Sequence, residues 1–136
     1  MLEKSFDFAI EFERRSNDWY PIVRTVFIRN DGYQFRLPLL LDTGSDILVL
    51  HKRFEPMFNN VVPRKFKGLG GKEYEGTEVI GTIELFGRKL DCTIGFAEFE
   101  FLSWRAGFLG RECLETFGLG YWQSAREFYV SLTPED

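Results

Sequence analysis

The chain has 136 residues, a length that fits one domain with a modest core. With 44% hydrophobic and 28% charged residues it reads as globular rather than disordered, and a net charge of −4 argues against general nucleic-acid affinity. No apolar stretch approaches the length of a membrane span, and Met1-Leu2-Glu3-Lys4-Ser5 lacks the charged-then-apolar pattern of a secretory signal, so no membrane partner and a cytoplasmic location are expected.

Residues 5–13 alternate, with Phe6, Phe8, Ile10 and Phe12 on one side, and predict a first strand. Asn17-Asp18 reads as a turn and 20–29 as a second strand. Asn30-Asp31-Gly32 is a hairpin signal, because these residues tolerate the positive φ that tight hairpins need. The return strand, 33–41, ends in Leu39-Leu40-Leu41, and Ile47-Leu48-Val49-Leu50 is a short apolar strand. Residues 51–63, with Pro56, Asn59-Asn60 and Pro63, predict a loop. Lys67-Gly68-Leu69-Gly70-Gly71-Lys72 predicts a flexible hairpin tip whose later arm is 77–86. A turn at Phe86-Gly87-Arg88 leads to a strand over 89–97. Ala106-Gly107-Phe108-Leu109-Gly110 is apolar and glycine-rich; 111–117 predicts a helix stopped by Gly118, and 127–132 the last strand. The fifteen phenylalanines predict strands and core filling. With no linker or boundary, the expectation is an all-β fold with one short C-terminal helix, a single domain over 1–136. A hairpin followed by an apolar segment ending in glycine occurs twice, at 31–44 and 86–110, which points to pseudo-symmetry.

Asp42-Thr43-Gly44 stands at the end of an apolar strand. A lone carboxylate does little acid–base chemistry at neutral pH, whereas two that share a proton do a great deal. The chain carries one such motif, which points to a homodimer with a site assembled from two copies. Ser45, Asp46 and His51 are triad residue types, but no oxyanion hole or nucleophile elbow accompanies them. Gly68-Leu69-Gly70-Gly71-Lys72 lacks the spacing and the hydroxyl of a phosphate loop. Cys92 and Cys113 form neither a metal pattern nor a disulfide framework and are expected to be buried, reduced thiols. No metal site and no cofactor are expected.

Leu40-Leu41-Asp42-Thr43-Gly44-Ser45-Asp46 resembles the active-site segment of aspartic proteases. Phe108-Leu109-Gly110-Arg111-Glu112-Cys113-Leu114 resembles the Gly-Arg segment before the short helix of retroviral-type enzymes. The order of hairpin, active-site loop, glycine-rich flap, turn, Gly-Arg segment, helix and final strand is also similar, over about residues 20–132. The resemblance implies a retropepsin-like acid-protease barrel acting as a two-fold homodimer, an aspartic endopeptidase on peptide or protein substrates. It implies Asp42 as catalytic acid, Thr43 bonding across the two-fold axis, and Gly44 leaving room for substrate backbone. Asp46 and Arg111 match an acid and an arginine that pair and brace the loop, so Arg111 is structural support. Ser45, Asp46, Leu69, Gly70 and Gly71 fall at substrate-binding positions, the last three at the flap tip. Ser45 is further expected to donate to the ionised carboxylate, and Leu48, Val49 and Leu69 to make apolar pockets. Two segments depart from the family pattern: residues 1–19, an atypical N-terminal extension strand, and Gly118-Leu119-Gly120-Tyr121-Trp122, extra material between helix and final strand. The alternative is a non-catalytic dimerisation or peptide-binding module on the same fold.

Overall fold

Period-two alternation of apolar side chains builds strands along most of the chain. The structure, a computed structural model, describes residues 7–67, 71–115, 117–122 and 126–132. The strands are β1 (Phe8–Arg15), β2 (Asp18–Ile28), β3 (Gln34–Leu41), β4 (Leu48–His51), β5 (Val62–Lys67), β6 (Glu73–Leu85), β7 (Arg88–Ala97), β8 (Gly107–Leu109), β9 (Phe117–Trp122) and β10 (Glu127–Leu132). A 3-10 helix (Lys52–Met57) and a four-residue helix, α1 (Arg111–Leu114), complete the described elements. The fold is all-β with little helix. No helix among the described residues is long and apolar enough to cross a membrane.

The strands are ordered β5-β6-β7-β4-β8-β3-β2-β1-β10-β9, and β6 pairs with β2 as well. That extra pairing joins β2, β3, β8, β4, β7 and β6 into a closed circuit of neighbours. Inside it lie Phe27, Leu39, Leu48, Leu50, Ile83, Ile94 and Leu109, all fully buried. Most pairings are antiparallel, but β3–β8 and β4–β7 are parallel. Parallel neighbours cannot be joined by a tight turn, so these two pairs bring together segments that are distant in sequence.

The hairpins follow turn chemistry. Ser16 and Asn17 both have positive φ, as do Phe86 and Gly87, the pattern of two-residue turns that match strand twist. A left-handed phenylalanine costs roughly 1–2 kcal/mol. Its ring packs 5.4 Å from Phe8 and 5.3 Å from Phe117, which offsets that cost. Among the described residues Phe27, Phe96 and Phe117 are buried outright. Phe35, Phe54, Phe58, Phe86, Phe101 and Phe128 instead pack half-buried against the core. The phenylalanines therefore form an aromatic rim more than a core.

Three predicted elements are corrected. The helix expected over 111–117 ends at Leu114, and Gly118 is no stop signal but a strand residue opposite Ser131. Burial of Cys113, Leu114 and Phe117 decides this, because it asks the chain to turn into the sheet. Gly118–Trp122, read as inserted material, is most of β9. The expected loop 51–63 holds the 3-10 helix, capped by His51 Nδ1 accepting from Arg53 N–H at 3.0 Å, and the start of β5. Pro63 is tolerated there because β5 is an edge strand. Of the glycine-rich tip, residues 68–70 lie outside the described residues, and Gly71 has φ +78.

The N-terminal segment is integral to the sheet. Residues 8–11 pair with β10 and residues 12–15 with β2. Asp7 N–H donates to Val130 O at 2.9 Å, and its carboxylate accepts from Leu132 N–H at 2.7 Å. Glu13 binds Arg24 through two contacts, 2.5 and 3.0 Å, and Arg15 at 2.9 Å. The bond from Arg24 is the main reason that the Glu13 carboxyl is held below its ordinary range. A carboxylate whose folded pKa is depressed stabilises the fold above its unfolded pKa, and that stability is lost as pH falls through the folded value. The Arg24 side chain is about half exposed and that of Glu13 a quarter exposed, so solvent screening keeps the effect below about 1 kcal/mol. Urea unfolding at neutral and acid pH should show Glu13→Gln losing less stability on acidification than the wild type, by up to that amount.

Candidate active site

The three leucines that precede Asp42 are held by β8. Leu39, Leu40 and Leu41 pair in parallel with Gly107, Phe108 and Leu109. The ladder runs one step further, since Asp42 N–H donates to Leu109 O at 2.9 Å. The chain then turns: Ser45 N–H donates to Asp42 O at 3.1 Å, and Gly44 N–H to Asp42 Oδ1 at 3.0 Å. The return leg is held by the same distant segment. Arg111 N–H donates to Ser45 O at 2.8 Å and Glu112 N–H to Asp46 O at 3.0 Å. Gly110 sits where the two backbones cross, and a Cβ there would lie 2.7 Å from Ser45 O and closer still to Ile47 O. Gly107 is under the same constraint from Val49 O.

This crossing positions the sequence-predicted residues. Asp42 and Ser45 are half-buried; Thr43, Gly44 and Asp46 are exposed. A Cβ at Gly44 would stand 3.2 Å from Asp42 Oδ1, so glycine keeps the space beside the carboxylate open. Arg111 and Asp46 form an ion pair across 65 residues of chain, as expected from the motif. Their side chains are 59% and 74% exposed, so the pair is worth at most about 1 kcal/mol. The backbone bonds beside it carry more of the bracing. Ser45 departs from expectation: its hydroxyl donates to Ile47 O at 2.8 Å, so its one proton is not directed at Asp42. The triad types are also separated. Asp46 is engaged by Arg111, and His51 accepts from Arg53 N–H and packs edge-on against Phe99 and Phe101.

Glu112 escaped the sequence reading. Its Oε1 accepts from Thr93 N–H at 2.6 Å and its Oε2 from the Thr93 hydroxyl at 3.3 Å, tying α1 to β7. Only its place after Gly110-Arg111 hinted at a role. Next to this clamp lie Cys92 and Cys113, both free and buried as expected. The Cys92 thiol is pushed far up, first by its hydrogen bond to Cys113 and then by burial. Such a thiol is a poor nucleophile. No three His, Cys, Asp or Glu side chains gather as a metal site among the described residues.

A cleft of about 600 Å³ opens beside the loop. Gly44, Ser45, Asp46, Ile47 and Val49 form one wall, and Arg64–Lys67 with Tyr74 and Glu75 of the β5–β6 hairpin form the other. Phe66 is a second residue that the sequence did not single out. Its ring lies so close to Gly76 and Gly95 that a Cβ at either would clash with it, at 2.5 and 2.7 Å. Of the expected pocket residues, Val49 lines the cleft and Leu48 is buried in the core. Gly71 is placed at the hairpin's end, while Leu69 and Gly70 lie outside the described residues. A second hollow of about 730 Å³, between Arg29–Asp31 and Val79–Gly81, contains none of the predicted residues. Its three ionisable groups are engaged, Arg29 and Asp31 by each other and Glu78 by Arg64.

In comparisons with known proteins, no family model matches the chain, and neither does any curated protein. The geometry therefore carries the functional reading.

Two outcomes follow for the loop's support. Gly110→Ala forces one backbone off another and should lower stability by about 3 kcal/mol, read as a fall in the urea midpoint at unchanged slope. Glu112→Ala leaves the Thr93 N–H without its acceptor and should cost about 2 kcal/mol, whereas Arg111→Ala should cost under about 1 kcal/mol. The same denaturation series ranks them.

Proposed function

We propose that the chain is one half of a retropepsin-like aspartic endopeptidase, with the closed strand circuit as an acid-protease barrel and two Asp42 carboxylates, one per subunit, as the catalytic pair. The observation that supports this best is the crossing of two distant backbones behind a half-exposed acid. Three backbone hydrogen bonds between the Asp42–Asp46 loop and Leu109–Glu112 brace the loop, and the half-exposed carboxylate lies against Gly44, whose N–H donates to its Oδ1. A carboxylate that merely capped a turn would not need a loop braced from both sides. The cleft between this loop and the β5–β6 hairpin is large enough for side chains of an extended peptide.

Two carboxylates about 3 Å apart cannot both ionise, so they hold one proton between them. The ionised member takes a proton from water as that water attacks the peptide carbonyl. The protonated member donates to the carbonyl oxygen as its double bond opens. Collapse of the tetrahedral diol returns the carbonyl and breaks the C–N bond, with a proton passed to the leaving amine. In this reading Thr43 binds across the two-fold axis, Gly44 admits substrate backbone, and Asp46 with Ser45 forms the cleft wall. Leu69, Gly70 and Gly71 form the closing tip. The two buried thiols are compatible with a cytoplasmic setting, where thiols stay reduced.

Asp42→Asn tests the proposal. Peptidase activity on a diverse peptide library, measured from acid to neutral pH, should fall by about 10⁴-fold, because base and acid are removed together. Sedimentation should show the variant's dimer intact. An inactive wild type with a confirmed dimer would instead favour the non-catalytic peptide-binding module. Ser45→Ala should leave the acidic limb of the pH–rate profile in place, because the Ser45 proton is engaged by Ile47 O.

A further inference from the structure

The sheet has two ends, and they differ in chemistry. β5 closes one end and carries Pro63, Arg64, Lys65 and Lys67. Proline and cations are the devices by which edge strands avoid pairing with other chains. β9 closes the other end, and its sequence, Phe117-Gly118-Leu119-Gly120-Tyr121-Trp122, has no charge and no proline. Among the described residues β9 pairs with β10 alone, through all six positions, so its outer row of backbone groups is open. Leu119, in the middle of the strand, is 36% exposed although its partner Val130 is fully buried.

β9 is also close to the candidate site along the chain. Only α1, Glu115 and Thr116 separate Gly110, at the crossing beneath Asp42, from the first residue of β9. The N-terminal strand does not compete for the open edge. β1 is already paired with β10 and β2, and Asp7 is fastened to Val130 and Leu132.

We infer that β9 is the dimer edge: the β9 strands of two copies pair antiparallel about a two-fold axis and extend the sheet to β1-β10-β9-β9-β10-β1. A strand paired with its own copy about a two-fold axis perpendicular to the sheet is antiparallel by symmetry, and such an interface is closed, so it yields a dimer and not a filament. The terminal strands stay within their own subunit, and the copies meet edge to edge instead of exchanging ends. The inference rests on the two-carboxylate reading, which requires a second copy of this chain.

Hydrogen exchange and sedimentation over a range of protein concentrations test it. As the mass doubles, the amides of 117–122 should slow at least tenfold, while those of 62–67 stay unchanged. Leu119→Lys, which sets two cations beside the axis, should give a folded monomer by circular dichroism and lose at least tenfold in peptidase activity where the wild type is dimeric. Ile80→Lys, at a position 77% exposed in β6, should keep the dimer. A dimer whose 117–122 amides exchange as in the monomer overturns the inference, as does a Leu119→Lys chain that still dimerises. In either case, activity that is still abolished by Asp42→Asn leaves the peptidase reading standing. A wild type that stays monomeric at every concentration overturns both.

Discussion

The crossing of the Asp42–Asp46 loop with the Leu109–Glu112 segment is the constraint on which the rest of the structure turns. Two backbones approach closely enough for Asp42 N–H, Arg111 N–H and Glu112 N–H to find carbonyl partners across the gap. Gly107 and Gly110 make that approach possible, because any Cβ would meet a carbonyl oxygen. The parallel pairing of β3 with β8 and of β4 with β7 goes with it, since both legs of the loop are flanked by segments from the later half of the chain. The polar backbone of an irregular loop is thereby satisfied without secondary structure of its own.

Around that crossing the side chains divide their roles by exposure. The exposed Asp46–Arg111 pair marks where two segments meet, but screening by solvent limits what it contributes. The half-buried Glu112 carboxylate, bound to a backbone N–H and a hydroxyl of Thr93, has more to lose, because its removal strands a donor. The aromatic residues act at the next distance out. Phe99, at the start of the connection from β7 to β8, packs 5.2 Å from Phe108 and 5.2 Å from His51, and Trp104 packs 4.8 Å from Tyr20. The connection that leads into Gly107 is thus held against β2, β4 and β8 by ring contacts.

The N-terminal segment changes how the chain ends are read. By joining β10 to β2, β1 makes the β9-β10-β1 unit continuous with the closed circuit. One end of the whole sheet is left to β5, beside the cleft, and the other to β9. The proposed peptidase uses both: a charged edge beside the cleft that resists pairing with other chains, and an uncharged edge that recruits a second copy.

Local chemistry made much of this legible. Period-two alternation marked β1, apolar segments marked β2, β3 and β4, and Asn30-Asp31-Gly32 and Phe86-Gly87 marked turns, because these signals are properties of neighbouring residues. Asp42-Thr43-Gly44 and Gly110-Arg111 stood out for the same reason, as short strings of unusual residues, and the Asp46–Arg111 contact followed from matching them. What neighbours do not determine was missed. β9 has glycines at alternate positions and reads as inserted material until β10 supplies its partner. α1 stops short because burying Phe117 in a strand outweighs another helical turn. Ser45 looked free to serve Asp42 until the bend of the loop brought Ile47 O within its reach. The sequence alone determined which residues are candidates for the proposed chemistry and where most strands lie. The tertiary structure alone decided which carbonyl, carboxylate or edge each of them meets, because those partners lie as many as 125 residues apart and are set by how closely two backbones can approach.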